Sequence, residues 1–170
     1  TLSEITGLII GAWACEDDRR LNKAYKLLDY EIQKQFLPDG GYLQYSFNYQ
    51  RFALQLIEFI MKISNQTQIK LSEKRKELVK NSAHLLYQMQ DEKGDVPNYG
   101  SNDGALIFPV TSCGYRDFRP VVNTIYSLVE GNRLYQPGDY DEELLWFGHK
   151  KIDQIPVISI QRKSLGFNES

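Results

Sequence analysis

From Leu2 the apolar positions recur every three or four residues, at Leu2, Ile5, Ile9, Ala12 and Trp13. That spacing predicts an amphipathic helix. Thr1 and Glu4 stand in front of it at the interval of a capping box. A second helix is predicted from about Arg19 to Gln35, with Leu21, Ala24, Leu28 and Ile32 on one face and Pro38, Gly40 and Gly41 ending it. A third, from near Phe47 to about Ser64, is apolar round much of its circumference (Phe52, Leu54, Leu56, Ile57, Phe59, Ile60, Ile63), which predicts burial on more than one side. Ser72 is placed to cap a fourth helix that runs through Gln90 with Leu78, Leu85, Leu86 and Met89 inward. Pro120 in the first turn and Gly131 at the end bracket a fifth. Asp141-Glu142-Glu143 opens a short sixth that ends at Phe147-Gly148.

The tail breaks this pattern. Ile155 to Ile160 is rich in β-branched residues and reads as a linker or an edge strand within 151–170. Residues 1–150 therefore read as one helical domain. Antiparallel helix pairs with long loops at one end predict an all-α fold, an α/α toroid or part of one; a plain helical bundle fits the same pattern.

Two polar signatures interrupt the helices. The first is Asp39-Gly40-Gly41-Tyr42-Leu43-Gln44-Tyr45-Ser46-Phe47-Asn48-Tyr49-Gln50-Arg51, and the second is Val96-Pro97-Asn98-Tyr99-Gly100-Ser101-Asn102-Asp103-Gly104-Ala105. The second lies in a Gly-containing loop from Asp91 to Thr111, a length that goes with function or mobility. Asn, Tyr, Arg and Asp around tight Gly turns suit a site that grips a sugar and its carboxylate. The chain holds 11 Tyr and 8 Phe, and aromatic faces beside polar groups suit sugar rings, although a large core residue with a wet tip is the commoner role of a tyrosine.

Net charge narrows the partners. At −2 over 170 residues there is no basic field of the kind a general nucleic-acid binder needs. The longest apolar run, Leu8 to Cys15, is far too short for a membrane span. Cys15 and Cys113 are far apart and belong to no Cys/His cluster with metal-ligand spacing, so two buried free thiols are expected and no cofactor is evident. Thr1 opens directly into helical sequence, as in a piece of a longer protein.

The two signatures carry a resemblance. Together with Tyr115-Arg116-Asp117-Phe118-Arg119-Pro120 and Glu142-Glu143-Leu144-Leu145-Trp146-Phe147-Gly148, in that order, they make the chain similar to the helical domain of the heparinase II/III-like polysaccharide lyases, a group that includes alginate and oligoalginate lyases. The resemblance implies an N-terminal α/α toroid followed by a β-sandwich domain, and cleavage of uronic-acid polysaccharides by β-elimination. It implies a bacterial protein of the periplasm or the exterior, an acidic polysaccharide or oligosaccharide as substrate, and a partner histidine from a β domain that would follow Phe167-Asn168-Glu169-Ser170. On that footing these residues alone are expected to be inactive. The family has His after its Asn-Tyr pair, where this chain has Gln50.

The chemistry assigns roles. Removing the proton beside a uronate carboxylate requires that the carboxylate first be neutralised and the enolate-like intermediate then stabilised. Asn48 and Arg51, three apart at a helix start, share a face and can do this. Tyr99 is the candidate acid, and for some substrates the base, with Arg51 as its neighbouring cation. Gln44, Tyr45, Tyr49, Gln50, Asn98, Asn102 and Asp103 are candidate sugar contacts. Structural roles compete with these: Asn48 as an N-cap, Arg51 as a solvated helix residue, Tyr99 and Asn102-Asp103-Gly104 as turn residues, Tyr49 as core. His84 reads as a satisfied core histidine and His149 as surface. Two further functional readings remain: a toroid glycoside hydrolase using Asp39 and Asp103 as its carboxylate pair, and a non-catalytic glycan-binding domain.

Overall fold

The computed structural model describes residues 1–67, 69–149 and 151–161. Among these residues six α-helices form: α1 (Leu2–Ala14), α2 (Asp18–Gln35), α3 (Phe47–Gln66), α4 (Glu73–Met89), α5 (Arg119–Glu130) and α6 (Glu142–Trp146). Two single-turn 3-10 segments lie at Asp139–Asp141 and Ile152–Gln154. The described residues contain no strand, only isolated bridges between Phe36 and Tyr42 and between Arg133 and Val157. The all-α expectation holds.

Local chemistry sets the helix ends. Asp17 caps α2 by accepting the Arg20 amide at 2.9 Å. Ser46 caps α3 by accepting the Tyr49 amide at 3.2 Å. Losing such a cap costs about 1 kcal/mol. Pro120 occupies the first turn of α5, and Gly131 ends it at φ 70°. The short turn at 15–17 folds α2 back against α1, and α3 packs on α1, α4 and α5. Contacts on several sides explain why α3 is apolar almost all round. Ile9, Leu28, Ile32, Leu54, Ile57, Ile60, Leu86 and Ile125 form the fully buried centre. Truncating one of them to Ala costs about 2–5 kcal/mol.

Several expectations need correction. Neither Thr1 nor Ser72 makes a side-chain cap; the Thr1 hydroxyl instead accepts from Gln35 at 3.4 Å, and the Ser72 hydroxyl faces Asp29. Trp13 and Met89 are exposed, because each lies in the last turn of its helix, beyond the packed neighbours. Both thiols are free, as expected, but neither is fully buried: Cys15 is exposed at the end of α1, and Cys113 is half-buried in the long loop. Burial, with Asp117 nearby, pushes the Cys113 thiol up to about 11. His149 is half-buried rather than on the surface, and burial lowers its pKa. His84 is half-buried on α4, with Nδ1 2.9 Å from the Tyr126 hydroxyl and Nε2 3.2 Å from Gln88.

The tail is extended without being a strand. Arg133 donates its amide to Pro156 at 2.7 Å and accepts from Ile158 at 2.8 Å. The Tyr87 hydroxyl reaches the Ile160 carbonyl at 3.1 Å. Under this contact lies a buried polar node in which Asp141 accepts from Asn123 (2.7 Å) and pairs with Arg133 (3.0 Å). Phe167 to Ser170 lies outside the described residues.

Candidate functional site

The two polar signatures meet along a seam at the start of α3. The Ser46 hydroxyl donates to the Ser101 carbonyl at 2.5 Å, and the Phe47 amide donates to the Tyr99 carbonyl at 3.2 Å. Their aromatic rings pack at 5.2 Å between centroids. Gly100 sits at φ 74°, where a Cβ would overlap the Tyr45 carbonyl oxygen. Only glycine allows the two backbones to approach this closely.

Ser46 being the cap, Asn48 falls inside the first turn of α3, buried and facing the second signature. Its Oδ1 accepts two hydrogen bonds, from Arg51 at 2.9 Å and from the Tyr115 hydroxyl at 2.9 Å. Both donors draw on the amide oxygen, so the Asn48 NH2 is aimed the other way. It reaches Asp103 Oδ1 at 3.4 Å, and the Tyr49 hydroxyl donates to Asp103 Oδ2 at 2.8 Å. The Ala105 amide also donates to Asp103, at 3.1 Å. The Tyr49 hydroxyl and this backbone bond hold the Asp103 carboxyl below its usual range, and the same contact raises the Tyr49 hydroxyl. Asn102 closes the network: its Oδ1 lies 2.6 Å from the Tyr115 hydroxyl, whose one proton it shares with Asn48, and its amide donates to Asn98 at 3.2 Å.

Arg51 is 2 % exposed. One terminal nitrogen donates to the Tyr115 carbonyl, the other to Asn48, and the guanidinium lies between the rings of Tyr115 (4.5 Å) and Phe118 (4.3 Å). The pairing expected with Tyr99 is replaced by one with Tyr115. Arg51 is thus neither a solvated helix residue nor open to an incoming carboxylate; it acts on Asn48. Tyr99 is half-exposed and shares a narrow cleft of about 10 Å³ with Asn48, Asn98, Asn102, Tyr115 and Arg116. Arg116, paired with Asp95 at 2.6 Å, is the exposed cation of that cleft.

Gln50 lies apart from this group. Its buried amide donates to the Gly40 carbonyl (3.0 Å) and to the Ser82 carbonyl and hydroxyl (3.0 and 2.8 Å), tying the first loop to α4. Gln44 is exposed in a separate groove shared with Tyr49 and Phe52, and Tyr45, at φ 49°, is exposed beside Tyr99. Asp39 closes its own turn by accepting the Gly41 amide at 3.0 Å.

A second cluster carried no sequence-based role. Glu58, 0 % exposed on α3, and Glu143, 1 % exposed on α6, are neighbours beside Arg51. Burial raises both, Glu58 well above its usual range and Glu143 to about 7. Glu143 belongs to a motif that the resemblance quotes, as does Tyr115, but Glu58 stands in an apolar helix with nothing local to mark it. Among the described residues no group of three or more His, Cys, Asp or Glu is arranged to hold a metal, and no helix is long and apolar enough to cross a membrane.

The chain matches no family model, no curated protein and no solved structure.

Proposed function

We propose that the chain is the helical part of a polysaccharide lyase that cleaves a uronic-acid polymer by β-elimination. The observation that carries this reading is the convergence of Asn48 and Tyr49 on a carboxylate. Asp103 occupies the place a uronate carboxylate would take, with an amide and a phenol donating to it. Arg51 and Tyr115, bonded to the back of the Asn48 amide, strengthen its NH2 as a donor. An incoming uronate would displace Asp103, and Arg116 at the same cleft would attract it. Neutralising that carboxylate acidifies the adjacent carbon, and Tyr99, half-exposed at the cleft, would protonate the leaving oxygen.

In this reading the helix pairs are part of an α/α toroid, and the base for one substrate epimer comes from a β domain, in a protein of the bacterial periplasm or exterior. The test is a panel of uronate polysaccharides incubated with the full protein, monitored by the ultraviolet absorbance of the unsaturated product. Activity that disappears in Tyr99→Phe is the expected result; normal turnover by that variant overturns the reading. Asp103→Asn separates the lyase from a hydrolase. A lyase keeps its activity because the aspartate is displaced by substrate, whereas a hydrolase that uses Asp39 and Asp103 loses it and makes saturated products.

A further inference from the structure

Tyr45 stands in the left-handed region at φ 49°, one of two non-glycine residues with positive φ among those described. Its amide closes a turn by donating to the Tyr42 carbonyl at 2.8 Å, and its own carbonyl oxygen takes the space of the Cβ that Gly100 lacks. The next residue, Ser46, is extended and caps α3. The positive φ is therefore what turns the chain into the helix. Glycine adopts it freely, whereas for a tyrosine it costs about 1–2 kcal/mol. Packing does little to offset that cost. The Tyr45 side chain is half-exposed, and among the described residues it makes no hydrogen bond and no ring contact. Strain kept where packing gains little is a mark of binding sites.

Tyr45 and Tyr99, both half-exposed, line a shallow notch of about 20 Å³ together with Gly41, Tyr42, Phe47 and Leu85. No charged side chain borders it. The cleft that holds Asn48 and Arg116 shares only Phe47 and Tyr99 with this notch. The Phe47–Tyr99 ring pair thus divides a cleft with a cation from an uncharged, aromatic surface. The notch is far below the roughly 300–1,000 Å³ of pockets that enclose ligands, so an occupant lies across it. An anion finds no cation there. A peptide strand finds no free edge, because the amides of Leu43, Tyr45, Phe47 and Tyr99 are already bonded. The apolar C–H face of a pyranose, rimmed by hydroxyls, matches a tyrosine ring with its polar tip.

We propose that Tyr45 is a sugar-stacking residue, holding the pyranose next to the uronate on the far side of Tyr99 from Asn48. On the lyase reading, on which this position rests, that pyranose is the departing sugar. A base takes the proton beside the uronate carboxylate, the bond to the leaving oxygen breaks as the carbon–carbon double bond forms, and Tyr99 protonates that oxygen. Stacking sets no charge requirement on the departing sugar. Selection for a carboxylate then falls on the uronate position at Asn48 and Arg116 alone, and the site accepts polymers in which a neutral sugar precedes the uronate.

The test has two arms. In the first, methyl β-glucoside, methyl β-mannoside and methyl β-galactoside are added in turn to the full protein, and saturation-transfer NMR reads which sugar protons approach it. At least one glycoside is expected to receive transfer, concentrated on one face of its ring. Tyr45→Phe keeps the ring and is expected to keep most of the transfer. Tyr45→Ala and Tyr45→Gly remove the ring and are expected to lose it alike, by about three- to tenfold. The glycine variant, relieved of the left-handed strain, is expected to melt higher than the alanine variant. Equal loss in two variants of different stability belongs to the ring and not to the fold. No transfer to any of the three glycosides, transfer that survives in Tyr45→Gly, or loss that follows melting temperature overturns the proposal. In the second arm, a uronate polymer that the protein cleaves is given to Tyr45→Gly, and kcat/KM is expected to fall by about three- to tenfold. An unchanged kcat/KM overturns the departing-sugar position and leaves the lyase standing. Glycoside binding at Tyr45 without cleavage of any polymer overturns the lyase and leaves Tyr45 a sugar-binding residue.

Discussion

Arg51 holds the side-chain oxygen of Asn48 at 2.9 Å, and the two behave as one group. The arginine is buried between two aromatic rings, and the asparagine, one helical turn before it, is the member that faces the second loop. A positive charge acting through an amide reaches the cleft as a strengthened N–H donor.

Replacing Arg51 with Lys removes that geometry while keeping the charge. A lysine ammonium does not span the Tyr115 carbonyl and Asn48 Oδ1 as a planar fork, nor stack flat between Tyr115 and Phe118. Urea denaturation is expected to show a loss of about 2–3 kcal/mol, and on the proposed lyase reading activity falls with it. An Arg51→Lys protein of unchanged stability would mean that the fork is dispensable.

Gln50 is expected to act on the first loop rather than on chemistry. Gln50→Ala leaves the Gly40 carbonyl without this donor and breaks the tie to Ser82, at a cost of about 1–3 kcal/mol in thermal or urea unfolding. The defect should be strongest in the 39–46 loop, visible as line broadening of its amides by NMR.

Gly100→Ala tests the seam. The added Cβ overlaps Tyr45 and Ser46, and φ 74° strains any L side chain. A loss of about 2 kcal/mol or more is expected, read as a lowered melting temperature. Gly104→Ala is the control: its φ of 81° is equally strained, but a Cβ there meets nothing within 4 Å, so it should cost less.

Stability should fall as pH rises through neutrality. Glu143 is raised from 4.5 to about 7 by burial, and burial raises Glu58 well above its usual range. The folded state therefore binds more protons than the unfolded chain above pH 4.5, so unfolding releases protons and stability declines with increasing pH. The Glu143 contribution is fully present below about 4.5 and is lost as pH rises through about 7. Asp103, lowered by the Tyr49 hydroxyl, has the opposite sign: its contribution is lost as pH falls below the usual carboxylate range. Melting temperatures measured from pH 4.5 to 8 check this, and Glu58→Gln should flatten the alkaline decline.

The helices were legible because burial follows their period. Leu21, Ala24, Leu28 and Ile32 recur on one face of α2 and are all in the core, and the all-round apolar character of α3 matches its central place. Caps were less legible: Ser46, Thr1 and Ser72 all precede helices, and only Ser46 among them bonds an amide, since that depends on the direction from which the chain enters. Of the site, Asn48, Asn98, Asn102, Asp103 and Tyr49 were readable as a polar group, and the structure joins them in one network. Tyr115 and Glu143 were visible only as letters in motifs, because their partners on α3 lie more than sixty residues away. Gln50 shows the limit from the other side: a polar residue inside a signature, but directed into the core.

The seam between Ser46–Phe47 and Tyr99–Ser101 has a consequence for how the molecule breathes. Residues 90–118 contain no helix or strand, and the loop before α3 is held by a few turn bonds and by Gln50. Such segments open at a small fraction of the global free energy, and segments bonded to each other open as one cooperative unit. The amides of Phe47, Tyr49 and Tyr99 should therefore exchange with deuterium at a common rate, faster than those of the buried turns of α3. A sugar chain that engages either loop would slow exchange in both, so ordering of the cleft would accompany capture of the ligand instead of preceding it.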